Sequence, residues 1–188
     1  MVHKAGAVAV RQRYTLSLGS NVRPLENMLA MLAALLPLGE QSLWLSRIIR
    51  TAPMGMASDH YFLNTAVCLD THLSPTDLKQ CLIQIELDLG RDRSDPRSKI
   101  KDRPADLDIV GACAPGEGFN TAVLPPEPYV RPLVIEIWQA QGQLLHLPAP
   151  DLGAGVPLVW RGQTTIGQCP MRLTPTTAVA LTPHFALA

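Results

Sequence analysis

The chain has 188 residues, enough for one domain with a sizeable core, and Lys plus Arg balance Asp plus Glu at 16 each. This neutrality excludes a global pull toward nucleic acid or membrane, so any basic site is local. Hydrophobic residues make up 47%, as a globular protein requires, and no apolar run approaches the ~20 residues of a membrane span.

Residues 1–12 read as an N-terminal tail without the apolar core of a secretory signal. Residues 14–18 alternate as a first strand, which Gly19, Ser20 and Asn21 stop. From Pro24 to about Leu36, Leu25, Met28, Leu29, Leu32 and Leu35 recur at helical spacing. Residues 42–51 form a second strand, 52–60 a loop, and 61–71 a third strand interrupted by Asn64. Ser74 and Pro75 open a second helix that Gly90 ends. Residues 105–110 are a fourth strand. The order β-α-β-β-α-β predicts an α+β, ferredoxin-like core with an antiparallel sheet and both helices on one face. Beyond Gly111 the pattern weakens. Residues 133–139 and 143–147 read as a strand pair or as a short helix and a strand, and 162–188 as a loosely ordered tail. The domain proper is then 13–161. Cys68, Cys81, Cys113 and Cys169 are far apart and read as reduced thiols in the cytoplasm.

Two stretches carry chemistry. Asp106 and Asp108 stand two residues apart on the fourth strand, so both carboxylates project from one face. Held that close, the like charges repel, and a bound cation removes the conflict. Paired carboxylates are hard oxygen ligands suited to Mg²⁺, which completes its shell with water and phosphate oxygens. Just upstream, Arg91, Arg93, Arg97, Lys99, Lys101 and Arg103 fall within thirteen positions. Guanidinium groups grip phosphate oxygens in pairs. A basic loop running into an acidic strand suits a metal–nucleotide triphosphate.

The chain resembles the 6-hydroxymethyl-7,8-dihydropterin pyrophosphokinase family. The resemblance rests on Leu18-Gly19-Ser20-Asn21, on Arg50-Thr51-Ala52-Pro53-Met54-Gly55 with Phe62-Leu63-Asn64, on Ile85-Glu86 with Leu89-Gly90-Arg91-Asp92-Arg93, and on Asp102-Arg103-Pro104-Ala105-Asp106-Leu107-Asp108-Ile109. It implies a ferredoxin-like core and a diphosphotransferase that moves the terminal diphosphate of ATP to the pterin hydroxymethyl group, releasing AMP. It assigns two Mg²⁺ ions to Asp106 and Asp108, and catalytic roles to these two with Arg91 and Arg103. The pterin falls to Thr51, Ala52, Met54, Phe62, Asn64 and Leu133. The nucleotide falls to Glu86, Arg91, Arg93, Arg103, Ile109 and Arg131. ATP and the pterin are then the partners, with no nucleic acid or membrane, and a monomer is favoured.

The segment after the Asp strand departs from that family. Pro126 replaces a histidine, and Leu133 replaces a second pterin-stacking aromatic, a loss of ~0.5–1.5 kcal/mol. Tyr129 or His60 is available to compensate. These changes motivate an alternative, a divergent non-catalytic module binding Mg-nucleotide or pterin. A ferredoxin-like RNA-binding domain ranks below both, because aromatics are only 5% and form no cluster.

Overall fold

The structure, a computed structural model, describes residues 10–40, 42–56, 58–97, 100–176 and 178–180. Lys99, most of the N-terminal tail and the last eight positions lie outside the described residues. The elements run β1 (Gln12–Ser20), α1 (Pro24–Leu35), β2 (Leu43–Leu45), β3 (Ile49–Thr51), β4 (Phe62–Thr71), α2 (Pro75–Asp88) and β5 (Asp106–Cys113). There follow α3 (Arg131–Gln139), β6 (Leu158–Trp160), β7 (Thr164–Ile166), β8 (Met171–Leu173) and β9 (Ala178–Ala180). Among the described residues the main sheet is ordered β5-β1-β4-β2-β8-β9, with β3 also beside β4, and its pairs are antiparallel. The result is an α+β architecture.

Both early helices begin where the sequence places them. Ser74 caps α2, its Oγ accepting the Asp77 N–H at 3.2 Å. α1 has no side-chain cap: Arg23 sits there at φ 40°, and Pro24 supplies the first helical φ.

The alternation of a strand sorts the sheet into two faces. Leu16, Leu18, Leu63, Val67 and Leu69 pack on Met28, Leu32 and Leu35 of α1 and Leu78 and Leu82 of α2. Ala66 and Cys68 point the other way, under Val134, Ile137 and Trp138 of α3. Trp138 Nε1 pins that helix down by donating to Thr15 Oγ1 at 3.0 Å. The remainder of this second face carries Ser17, Gly19, Asn64, Asp106 and Asp108 and opens as a cavity.

Three expectations are corrected. The strand read over 42–51 is two short strands. At its break the Ser46 hydroxyl accepts the Ala66 N–H at 2.9 Å, while Arg47 N donates to Glu136 Oε2 at 2.9 Å, so the backbone leaves the β4 ladder. Of the two alternatives for 133–139 the helix holds, as part of α3, whereas the strand expected over 143–147 is absent. Leu133, Val134, Ile137 and Trp138 make one buried helical stripe, and Pro132 sits in its first turn. The stretch from 162 onward is not loose where it is described. β7 pairs with β6, and β8 joins the main sheet against β2. Met171 and Leu173 point inward around exposed Arg172, a period-2 signal only three residues long.

Candidate active site

The cavity measures about 410 Å³. The sheet supplies Thr51, Asn64, Phe62, Asp106, Asp108 and Ile109, the loop after β3 supplies Ala52 and Met54, and Arg103 and Tyr129 complete the wall. Nine of the residues singled out in the sequence therefore meet in one place: Thr51, Ala52, Met54, Phe62, Asn64, Arg103, Asp106, Asp108 and Ile109.

Asn64 is buried, and its Nδ2 donates to Thr51 Oγ1 at 2.7 Å. A buried amide needs such partners. Gly19 makes room for it. The glycine lies within β1, and a Cβ there would stand 2.8 Å from Asn64 Oδ1. Clearance, rather than freedom to turn, is what this position requires. Gly19→Ala is expected to push the Asn64 amide aside at a cost of about 1–3 kcal/mol. Thermal unfolding checks this; an unshifted midpoint contradicts it.

A chain of alternating charge underlies the end of the cavity that carries Arg103 and Asp106. Glu86 on α2 is 1% exposed, and its Oε1 accepts from Leu107 N and from Arg91 Nη1, both at 2.8 Å. Its Oε2 takes Arg93. Burial pushes the Glu86 carboxyl above its ordinary value, against the pull of the Leu107 N–H, Arg91 and Arg93. Arg91, itself 8% exposed, passes its Nη1 on to Asp106 Oδ1 at 2.5 Å. Arg103 Nη1 takes Asp106 Oδ2 at 2.7 Å. Asp108 is held differently: its Oδ1 accepts from Lys79 Nζ at 2.7 Å, and its side chain is 62% exposed. Arg91 Nε is buried with no hydrogen-bond partner. Arg91 lines a second hollow of about 200 Å³ with Asp92, Asp95, Lys101, Asp102 and Arg103.

The carboxylates fit a hard divalent cation. They share one strand face beside a cavity wide enough for phosphate oxygens. Among the described residues no three His, Cys, Asp or Glu side chains gather in one metal-binding group. Two carboxylates leave the remaining positions to water and substrate oxygen, as Mg²⁺ prefers.

The loop that carries Arg103 is clamped by Asp102. Its carboxylate meets His60 Nδ1 at 2.7 Å and accepts from Asn21 Nδ2 at 2.6 Å. Asn21 Oδ1 in turn accepts the Arg103 N–H at 2.7 Å. Three loops are thereby joined beside the cavity. Hydrogen bonding from Ser58, then from His60 and Asn21, holds the Asp102 carboxyl below its ordinary value despite some burial. A lowered carboxyl stabilises the fold above the ordinary carboxylate range, and that support is lost as pH falls through the lowered value. A ¹³C titration of the Asp102 carboxyl is expected to show its midpoint below that of an unstructured aspartate, about 3.9. A midpoint at or above this value removes the clamp.

Other expected residues sit elsewhere. Leu133 is fully buried within α3 and touches the core, not the cavity, so its reading as a pterin contact is corrected. The helical stripe that the sequence reading left undecided claims it. Arg131 is exposed at the start of α3 and does not line the cavity. Glu86 also lies off the cavity wall, beneath Arg91 and Arg93. Of the two aromatic candidates, Tyr129 lines the cavity, whereas His60 is engaged by Asp102. Burial and then Glu127 raise the Tyr129 hydroxyl. Ser17 and Lys79 carried no sequence signal, because each reaches the site only through the folding of the sheet.

The sequence profile of the family described as 7,8-dihydro-6-hydroxymethylpterin-pyrophosphokinase matches residues 15–153. Three relatives are each called 2-amino-4-hydroxy-6-hydroxymethyldihydropteridine pyrophosphokinase. The chain is 40% identical to that of Porphyromonas gingivalis over 96 residues, 50% of this chain and 65% of the relative. It is 39% identical to that of Pseudomonas aeruginosa over 101 residues, 53% and 60% of the two chains. It is 37% identical to that of Bacillus subtilis over 97 residues, 50% and 56%. Each match spans less than two thirds of the relative's length. With three quarters of its length under one profile, the chain belongs to the 7,8-dihydro-6-hydroxymethylpterin-pyrophosphokinase family.

Proposed function

We propose that this chain transfers the terminal diphosphate of ATP to the hydroxymethyl oxygen of 6-hydroxymethyl-7,8-dihydropterin and releases AMP, a step of folate biosynthesis. One observation carries the reading. A single cavity joins an amide and two aromatic rings, Asn64, Phe62 and Tyr129, to a carboxylate pair and a guanidinium, Asp106, Asp108 and Arg103. The first set suits a flat, hydrogen-bonding heterocycle, and the second suits a metal-bound polyphosphate.

Asp106 and Asp108 would hold two Mg²⁺ ions, whose charge would neutralise phosphate oxygens and lower the proton affinity of the hydroxymethyl oxygen. Thr51, Ala52 and Met54 border the pterin edge, and Asn64 orients the ring. Arg103 grips the phosphates from the cavity wall. Arg91, braced by Glu86, and Arg93 serve the nucleotide from the loop, which closes to exclude water. Ile109 supports the nucleotide side.

The fold reading extends in the same direction. With β2 and β3 counted as one interrupted strand, the core order β5-β1-β4-β2 and the placing of α1 and α2 on one face support a ferredoxin-like core. We place the domain at 13–161, with β8 and β9 as sheet additions after it. The four cysteines are unpaired, consistent with a reducing cytoplasmic setting, and among the described residues no helix is long and apolar enough to cross a membrane. A monomer acting on ATP and the pterin suits this reading.

AMP formation from ATP and 6-hydroxymethyl-7,8-dihydropterin with Mg²⁺ tests the activity. No AMP above background defeats it. The positions of Arg131 and Leu133 off the cavity favour one second reading, a module that binds Mg-nucleotide or pterin without turnover. Calorimetry showing binding without AMP selects it.

A further inference from the structure

Both aspartates already have protein cations as partners. Asp106 has Arg91 and Arg103, which belong to the basic loop expected to meet phosphate. Asp108 has Lys79, which belongs to no loop and follows no phosphate-binding motif. Lys79 stands on α2, which packs on the opposite face of the sheet from the cavity. Its stem reaches Asp108 because β5 is a terminal strand of the sheet. Nζ donates to Leu107 O at 3.2 Å and to Asp108 Oδ1 at 2.7 Å. The ammonium therefore occupies one of the two Asp108 carboxylate oxygens while anchored to the backbone beside it.

We infer that Lys79 is an internal counter-ion that competes with the divalent cation for Asp108 and so sets the metal affinity of this site. The inference rests on the reading of Asp106 and Asp108 as the metal-holding pair. A cation binding Asp108 must first displace or repel the ammonium. Lys79 is 34% exposed and Asp108 is 62% exposed, so the pair is a partly solvated one. Such pairs are weak and screened by salt. The competition is correspondingly modest and sensitive to ionic strength. Lys79 acts through Asp108 and is a positioning residue, not a catalytic one.

The test uses the full-length protein and Mn²⁺ as probe, with free Mn²⁺ read by electron paramagnetic resonance. Lys79→Met keeps the length of the stem and a good helix former. It is expected to tighten Mn²⁺ binding without nucleotide by about two- to fivefold, the range of an exposed pair. Lys79→Arg, which keeps the charge, is expected to stay near the parent. The Met-to-parent ratio is expected to fall toward one between about 0.01 and about 1 M salt, as the Debye length shrinks. Equal or weaker binding by Lys79→Met, or a ratio indifferent to salt, overturns the inference. A separate arm adds a non-hydrolysable ATP analogue. If Asp106→Asn and Asp108→Asn leave Mn²⁺ binding unchanged there, the metal-pair reading itself fails. If they abolish binding while Lys79→Met matches the parent, only the counter-ion role fails.

Discussion

Asp108→Asn is expected to reduce AMP formation at least about a thousandfold while leaving the unfolding midpoint within experimental scatter. A metal ion contributes several kcal/mol to such a transition state, at 1.36 kcal/mol per decade of rate. On the proposed metal-holding role of Asp106 and Asp108, losing one of the two carboxylates removes much of that. The fold does not share the loss, because Asp108 is 62% exposed and its pairing with Lys79 is a partly solvated one. Asp106→Asn is expected to differ in one respect. Its activity falls as far, but stability falls too, by about 2 kcal/mol on the scale of hydrogen bonds to charged groups. Asp106 is 28% exposed and joins Arg91 to Arg103, both largely buried; the amide keeps one acceptor oxygen, so one of the two guanidiniums would face an NH2 donor and both would lose the negative charge they share. Steady-state assays beside urea unfolding separate the two variants. Equal stability losses would remove the distinction drawn between the two carboxylates. Full activity in Asp108→Asn would refute its assigned role.

The second large effect is on stability. Glu86→Ala is expected to cost about 3–5 kcal/mol, the scale for removing one member of a buried ion pair. Glu86 is 1% exposed, and its carboxylate serves the Leu107 N–H, Arg91 and Arg93 together. Its loss strands a buried guanidinium and a backbone donor of β5. Glu86→Gln keeps an acceptor for Leu107 N and is expected to lose less. Both variants are expected to lower activity, because Arg91 reaches Asp106 from a position that Glu86 braces. The pH dependence has the opposite sign to that at Asp102. Burial raises the Glu86 carboxyl, so the proton-linked part of its contribution is full below the ordinary carboxylate range and declines as pH rises through the raised value, while its hydrogen bonds to Leu107 N, Arg91 and Arg93 carry the loss expected at neutral pH. Urea unfolding of the three proteins at neutral pH is the measurement. A loss under about 1 kcal/mol for Glu86→Ala would place Glu86 outside the supporting network.

The Asp strand, the two early helices and the loop after β3 were legible in the sequence because each is a local pattern. Asp-x-Asp on an apolar strand must present two carboxylates on one face. Ser74-Pro75 ahead of a helical apolar stripe must begin a helix. The residues that carry the family resemblance extend this to Asn64, Phe62 and Thr51, and all three line the cavity. The readings that failed or stayed open concern segments whose partners are remote in the chain. Three-residue strands such as Met171–Leu173 carry too short a period to stand out, and β8 exists because β2 offers an edge. Residues 133–139 suit a helix or a strand until Trp138 finds Thr15 and Ala66 and Cys68 need a cover.

By itself, then, the sequence determined the chemistry available here: paired carboxylates, a run of guanidiniums, an amide in an apolar strand. Local periodicity and charge spacing are written along the chain and need no partner to be read. Tertiary structure alone decided who meets whom. It put Leu133 into the core and Tyr129 at the cavity, made Gly19 a matter of clearance for Asn64, and brought Lys79 past the sheet edge to Asp108. These are contacts between distant positions, set by which face of the sheet each helix covers, and no window of neighbouring residues contains them.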